Sequence, residues 1–240
     1  MTIQSKTKPS TTGAAPRDQR TMLIIGGVIA AAAVVALIFI AISSGAGTGS
    51  DIHKYDDVPQ TRTADGAFVL GNPDAPLTIV EFADWACPAC QQYKPTVDRF
   101  LEEYVATGKA KFESRIIMTA GGATTGYAGQ LAECAEEQRP GGYWQAYVLL
   151  YDYAMRGPGT YSADMARPFA EELDLDLSKL LSCASSAQQV SKDAAFAQQT
   201  GANATPTVMF RLNDGQAMPL PGGRSFEDLA NLVEVASNQG

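Results

Sequence analysis

Two cysteines three positions apart, Cys87 and Cys90, enclose Pro88 and Ala89 in a Cys-Pro-Ala-Cys tetrad. An apolar run, Leu77-Thr78-Ile79-Val80-Glu81-Phe82, precedes it. Apolar residues at helical spacing follow it: Tyr93, Val97, Phe100, Leu101 and Tyr104. The pattern predicts a strand, a turn and a helix that begins at the tetrad. Thiols in that position can close a small disulfide ring. Unpaired N–H groups and the positive helix end stabilise negative charge there, which makes the first cysteine a reactive thiolate. Proline suits the first helical position, because its missing N–H would be unpaired anyway. The chemistry indicated is thiol–disulfide exchange.

The same residues have other readings. A zinc site wants a second pair of ligands at short spacing. Here Cys134 and Cys183 stand alone, and the one histidine, His53, lies far upstream. The same shortage of histidine argues against a Cys-His hydrolase. Glu81 is an acid in an otherwise apolar strand that leads to the tetrad, and on its own it reads as a carboxylate near the strand end. Asp84 lies close in sequence. Trp85 fits a substrate rim or the core equally, whereas Tyr143 and Trp144 read as core. Cys134 and Cys183 are either a structural disulfide or two buried free thiols, and four cysteines allow three pairings. Pro206, between Thr205 and Thr207, reads on its own as a strand-opening proline.

The elements that must position these residues follow from periodicity and turn chemistry. Strands are expected at 68–70, 77–83, 111–118, 207–212 and near 217–220. Helices are expected at 88–105, 126–137, 143–155, 162–173, 177–182, 187–199 and 226–236. Gly108 and Gly201 are suited to helix ends, and Asn213-Asp214-Gly215 to a hairpin turn. A strand–helix–strand start implies a right-handed parallel crossover. The sequence therefore predicts an α/β domain with a mixed sheet, interrupted by a helical block at about 122–200.

Ahead of this domain, residues 1–21 are polar and read as a disordered tail. Residues 22–42 carry no charge, and 21 residues at about 1.5 Å each span a hydrocarbon core of roughly 30 Å. Lys6, Lys8, Arg17 and Arg20 precede that segment. A transmembrane helix with a cytoplasmic N-terminus and an exported domain is the expectation. A cleaved signal peptide is the alternative, with Ser44-Gly45-Ala46 as its site, but the length favours an uncleaved anchor. Residues 43–66 read as a flexible tether, and the domain is expected to begin near Ala67. The first 50 residues hold four of the 18 basic and one of the 26 acidic residues, so the remainder has 14 basic and 25 acidic, a net charge of −11. That balance does not suit nucleic acid or anionic lipid. Export places the cysteines in a compartment where disulfides persist.

With these motifs the domain resembles the DsbA-like branch of the thioredoxin superfamily. The matching residues are Gly71-Asn72-Pro73-Asp74-Ala75-Pro76, Val80-Glu81-Phe82, Cys87-Pro88-Ala89-Cys90, Ala132-Glu133-Cys134-Ala135 with Tyr143-Trp144, and Thr205-Pro206-Thr207. The N-terminal anchor and second cysteine pair resemble the membrane-tethered members. The resemblance implies a thioredoxin fold and an oxidoreductase that introduces disulfides into exported proteins. Cys87 would be the nucleophile and Cys90 its resolving partner, with Glu81 tuning Cys90. Pro206 would carry a cis bond, and Thr205, Pro206, Trp85, Pro88 and Ala89 would contact substrate. The pairing implied is 87–90 with 134–183. No metal or organic cofactor is expected, and the chain is read as a monomer. A membrane quinone-linked reoxidase, of the DsbB or vitamin K epoxide reductase-like type, is the implied partner. Strongly oxidising relatives carry histidine where this chain has Ala89, which keeps a reductase or isomerase open. A tethered chaperone or Cu(I)-binding module is the reading from another class.

Overall fold

The structure, a computed structural model, describes residues 50–238. The anchor expected at 22–42 lies outside them, as do the tail at 1–21 and residues 43–49. Six strands form one mixed sheet in the order β1-β2-β4-β3-β5-β6. They are β1 (Gln60–Arg62), β2 (Phe68–Gly71), β3 (Leu77–Ala83), β4 (Lys111–Ile116), β5 (Thr207–Leu212) and β6 (Met218–Pro219). The helices are α1 (Pro88–Phe100), α2 (Gly122–Gln138), α3 (Gly142–Arg156), α4 (Ala166–Glu172), α5 (Leu177–Ala184), α6 (Gln189–Thr200) and α7 (Phe226–Ser237). Strands β3 and β4 are parallel and joined through α1; the other pairings are antiparallel. Helices α2 to α6 form the block between β4 and β5. Together these make a thioredoxin fold with a helical insertion.

All seven residues of the central strand β3 are buried, and their alternation splits them between two cores. Leu77, Ile79 and Ala83 join the larger core with Val97 and Phe100 of α1 and Leu229 and Val233 of α7. Val80 and Phe82 face the smaller cluster, where Ala197 of α6, Ala202 and Met209 meet them. Glu81 has the parity of Ile79 and Ala83, so it is aimed under α1. Helix α1 continues as a π-turn at Leu101–Val105, closed by Ala106 N–H to Leu101 C=O at 2.8 Å. Gly108 then takes φ +77°, a conformation open to glycine. Strand β4 stops at Ile116, two residues short of the expectation. Ile117 N–H makes a last bond to Ala83 C=O at 3.0 Å, and Thr119 N–H turns to the Asp84 carboxylate instead.

The region expected to be a tether is ordered from residue 50 onwards. Tyr55 is buried, donates its hydroxyl to Asp98 Oδ1 at 2.9 Å and meets the Trp144 ring edge-on. Gln60–Arg62 pairs with β2 as an edge strand. The domain therefore begins ahead of Ala67. One aromatic anchor and a three-residue polar strand leave little hydrophobic pattern in a stretch rich in Thr and Asp.

Candidate active site

Cys87 is the N-cap of α1, with extended backbone at φ −72° and ψ 120°, and Pro88 stands in the first turn. Its N–H is held by Asp84 C=O at 2.9 Å, and its C=O accepts the first helical bond from Gln91 N–H at 3.0 Å. Cys87 keeps 8% of its surface exposed, Pro88 and Ala89 are exposed, and Cys90 has none. Both cysteines are free thiols. The Thr205–Pro206 peptide is cis, in the loop that opens β5. It brings the Thr205 carbonyl to 3.4 Å from Cys87 Sγ, which donates to it. Pro206 is buried, and Arg224 Nη1 donates to its carbonyl at 2.9 Å.

The two thiols have opposite electrostatics. Burial opposes ionisation of Cys87. Hydrogen bonds from the Thr205 side chain and from the N–H groups of Cys90 and Ala89 outweigh it, and the thiol lies below its ordinary value. Burial drives Cys90 far above the ordinary thiol range, and the charges of Glu81 and Cys87 add to it. Glu81 is 1% exposed, and one of its oxygens has no hydrogen-bond partner among the described residues. Burial pushes its carboxyl up to about 7, with Lys94 and Arg224 pulling down and Asp98 pushing up. So the less buried cysteine is the more acidic of the two, and the fully buried one feels a carboxyl poised near neutrality.

Trp85 is not on a substrate rim. It is fully buried in the larger core, and only its backbone carbonyl is engaged near the site, by Gln91 Nε2 at 3.0 Å. The residue following Asp84 faces inward because the chain must turn there to start α1. Cys134 of α2 and Cys183 of α5 are bonded, with sulfurs 1.97 Å apart, away from the tetrad. Asp84 has a larger part than sequence proximity suggested. It is fully buried and accepts from Ala86 N–H (3.0 Å), Thr119 N–H (2.9 Å), Thr119 Oγ1 (3.0 Å), Gly121 N–H (2.9 Å) and Thr125 Oγ1. Four of these five bonds come from residues 35 or more positions further on, so only the tertiary fold reveals them. Among the described residues no group of three or more His, Cys, Asp or Glu side chains gathers as a metal site. Among the described residues the two thiols of the tetrad are the free cysteines.

The fold and this dithiol define a thiol–disulfide oxidoreductase of the thioredoxin superfamily. The chain belongs to the thioredoxin family, since the family profile described as "Thioredoxin" matches residues 63–218. Its likeness within that family is to disulfide bond formation proteins. It is 26% identical over 162 residues to Disulfide bond formation protein D of Bacillus subtilis, covering 64% of this chain and 71% of that protein. It is 32% identical over 142 residues to Na(+)/H(+) antiporter NhaA 3 of Salinispora tropica. That match takes in 58% of this chain but spans only 21% of the antiporter. Among solved structures, oxidised BdbD of Bacillus subtilis superposes with a TM-score of 0.58 at 23% identity, over 71% of this chain and 92% of that one. This last likeness is one of fold.

Proposed function

We propose that the chain is a membrane-tethered, extracytoplasmic oxidase of protein thiols, which passes a Cys87–Cys90 disulfide to exported proteins. The observation that carries the reading is the asymmetry of the pair. Cys87 keeps 8% of its surface exposed and its thiol is shifted down; Cys90 keeps none and burial shifts its thiol up. In the oxidised form a substrate thiolate attacks Cys87 Sγ, the Cys87–Cys90 bond breaks, and its electron pair goes to Cys90. Cys90 takes up a proton, for which Glu81 beneath it is the donor. A second substrate thiolate then attacks the substrate sulfur of the mixed disulfide, and Cys87 leaves as a thiolate. The substrate has lost two electrons and the pair has gained them. A low-pKa leaving group favours this direction. Thr205 and Pro206 offer backbone to an extended substrate, and Pro88 and Ala89 form its exposed rim.

The anchor at 22–42 would hold the domain at the outer face of the membrane as a monomer. A quinone-linked reoxidase of the DsbB or vitamin K epoxide reductase-like type is the partner proposed to restore the disulfide. Cys87→Ser is expected to abolish oxidation of a reduced model protein, and Cys90→Ala to accumulate a mixed disulfide through Cys87. Oxidation by Cys87→Ser at the wild-type rate would overturn the mechanism. One observation favours a second direction: Ala89 is exposed and offers the thiolate neither charge nor side-chain donor. Equilibration with glutathione decides between them. A potential close to thioredoxin's, about −270 mV, makes the chain a reductase.

A further inference from the structure

A buried carbonyl needs a donor, and that of Pro206 does not find one in the sheet. Pro206 is buried, and the last pair of the β3–β5 ladder is Phe82 with Thr207, one residue further on. The donor comes from the turn ahead of α7. Arg224 Nη1 reaches the Pro206 carbonyl at 2.9 Å. The Arg224 guanidinium also lies 5.5 Å from the centre of the Tyr93 ring, within cation–π range. Tyr93 is three residues past Cys90 on α1. One side chain therefore joins the helix that carries both thiols to the loop that faces Cys87.

The backbone around Arg224 is built to hold it there. Gly222 takes φ +94°, and a Cβ at Gly223 would fall 2.6 Å from Asp228 Oδ2, so the chain passes the start of α7 as glycine. Directly after Arg224, Ser225 and Asp228 close a capping box. Asp228 Oδ2 accepts from Ser225 N–H at 3.0 Å and from Ser225 Oγ at 2.7 Å. The cap thus occupies the carboxylate that follows Arg224 most closely. Arg224 belongs to none of the ion pairs among the described residues, which leaves its guanidinium to the loop. A planar group with donors at its edge can bond a carbonyl and lie over a ring at once.

We propose that Arg224 is the positioning residue of the cis-proline loop, fixing it against α1 and so setting where the backbone of Thr205 and Pro206 meets an extended substrate. The inference rests on the reading above, in which that backbone receives substrate. The loop has ties elsewhere. Thr205 Oγ1 lies 2.7 Å from Thr119 Oγ1, and Thr207 Oγ1 donates to Ala204 C=O at 2.7 Å. Toward α1, Cys87 Sγ donates to the Thr205 carbonyl at 3.4 Å. A thiol is a weak donor, and in a disulfide it has no proton to give. In the oxidised pair, the form that must receive substrate, that bond is gone. Arg224 then remains as the polar tie between loop and helix among the described residues.

The test uses the oxidised full chain and two reductants. One is a reduced peptide holding two cysteines; the other is dithiothreitol, which is too small to use the loop. Appearance of the free Cys87 and Cys90 thiols is followed by acid quench, alkylation and mass. Arg224→Met keeps an unbranched stem beside Tyr93 and removes the donor. Its second-order rate constant with the peptide should fall about tenfold, through a higher half-saturating concentration, as expected for one charged hydrogen bond. Its rate with dithiothreitol should match wild type. Arg224→Lys returns a donor and should recover most of the loss. Equal losses with both reductants, or no loss with either, overturn the proposal. Amide hydrogen exchange of residues 203–207 is read in the same proteins. It should quicken in Arg224→Met and not in Arg224→Lys, and unchanged exchange overturns the proposal as well. If wild type reacts with dithiothreitol but with no peptide, the oxidase reading fails, and exchange alone decides whether Arg224 fixes the loop.

Discussion

A carboxyl with 1% exposure and an unpartnered oxygen is stable in the fold chiefly when it keeps its proton. For Glu81 that has a measurable consequence. Its folded pKa is raised from 4.5 to about 7, so the native state binds this proton more tightly than the unfolded chain does. Below pH 4.5 the group costs nothing. Between 4.5 and 7 the penalty grows, and above 7 it is complete, on the order of 3 kcal/mol. Glu81→Gln should therefore be more stable than wild type at pH 8 and indistinguishable at pH 4.5 in urea denaturation. It should also slow Cys90 protonation, so single-turnover oxidation loses its decline above pH 7. Equal stability of the two proteins at pH 8 would mean that Glu81 is solvated. The acid was visible in the sequence as a charge in an apolar strand. Its burial was not, because that depends on α1 crossing over β3. Asp84 was less legible still, since its donors come from the loop after β4 and from α2, brought near only by parallel pairing of β3 with β4.

Helix α1 was the most legible element, because its apolar spacing and Cys-Pro start are both local signals. The helical block was legible as helices but not as a packing. Its bounds moved where caps are weak: α2 starts at Gly122 rather than Gly126, and α4 at Ala166 after a turn at Ser162–Met165. Strand β1 was missed, since an edge strand of three polar residues has no alternation to read. The α2–α5 contact is tied by Cys134 and Cys183, 49 positions apart. Closing a loop of that length restricts the unfolded chain by about 4 kcal/mol in the chain-entropy model. Replacing both cysteines by alanine should lower the stability by about that amount in urea. The alkylation rate of Cys87 should stay unchanged, because the bridge lies in the block and the tetrad at the start of α1. A parallel fall in Cys87 reactivity would show instead that the block sets the site.

Across the whole molecule, the segment at 51–66 does more than lead into the domain. Lys54 pairs with Glu102 at 2.7 Å and also reaches Asp98, and the Tyr55 hydroxyl binds that same Asp98. Asp98 in turn pairs with Lys94, which lies over the rings of Tyr147 and Tyr151 and acts electrostatically on Glu81. The segment thus closes, from outside, the dry space in which the Glu81 carboxyl is held near neutrality. A chain beginning at Ala67 loses the buried Tyr55 and the edge strand, and removal of a buried aromatic typically costs about 3–5 kcal/mol. Compared with a chain beginning at Ser50, it should unfold at lower urea concentration. Water admitted beside Lys94 should also bring the Glu81 carboxyl back toward 4.5, so the inflection near pH 7 in single-turnover oxidation should move to lower pH. Tyr55→Phe, which keeps the ring and removes only the bond to Asp98, should retain most of the stability while moving the inflection by a smaller step. If both chains unfold at the same midpoint and share one pH profile, the segment is only a leader, and the cluster under α1 keeps itself dry.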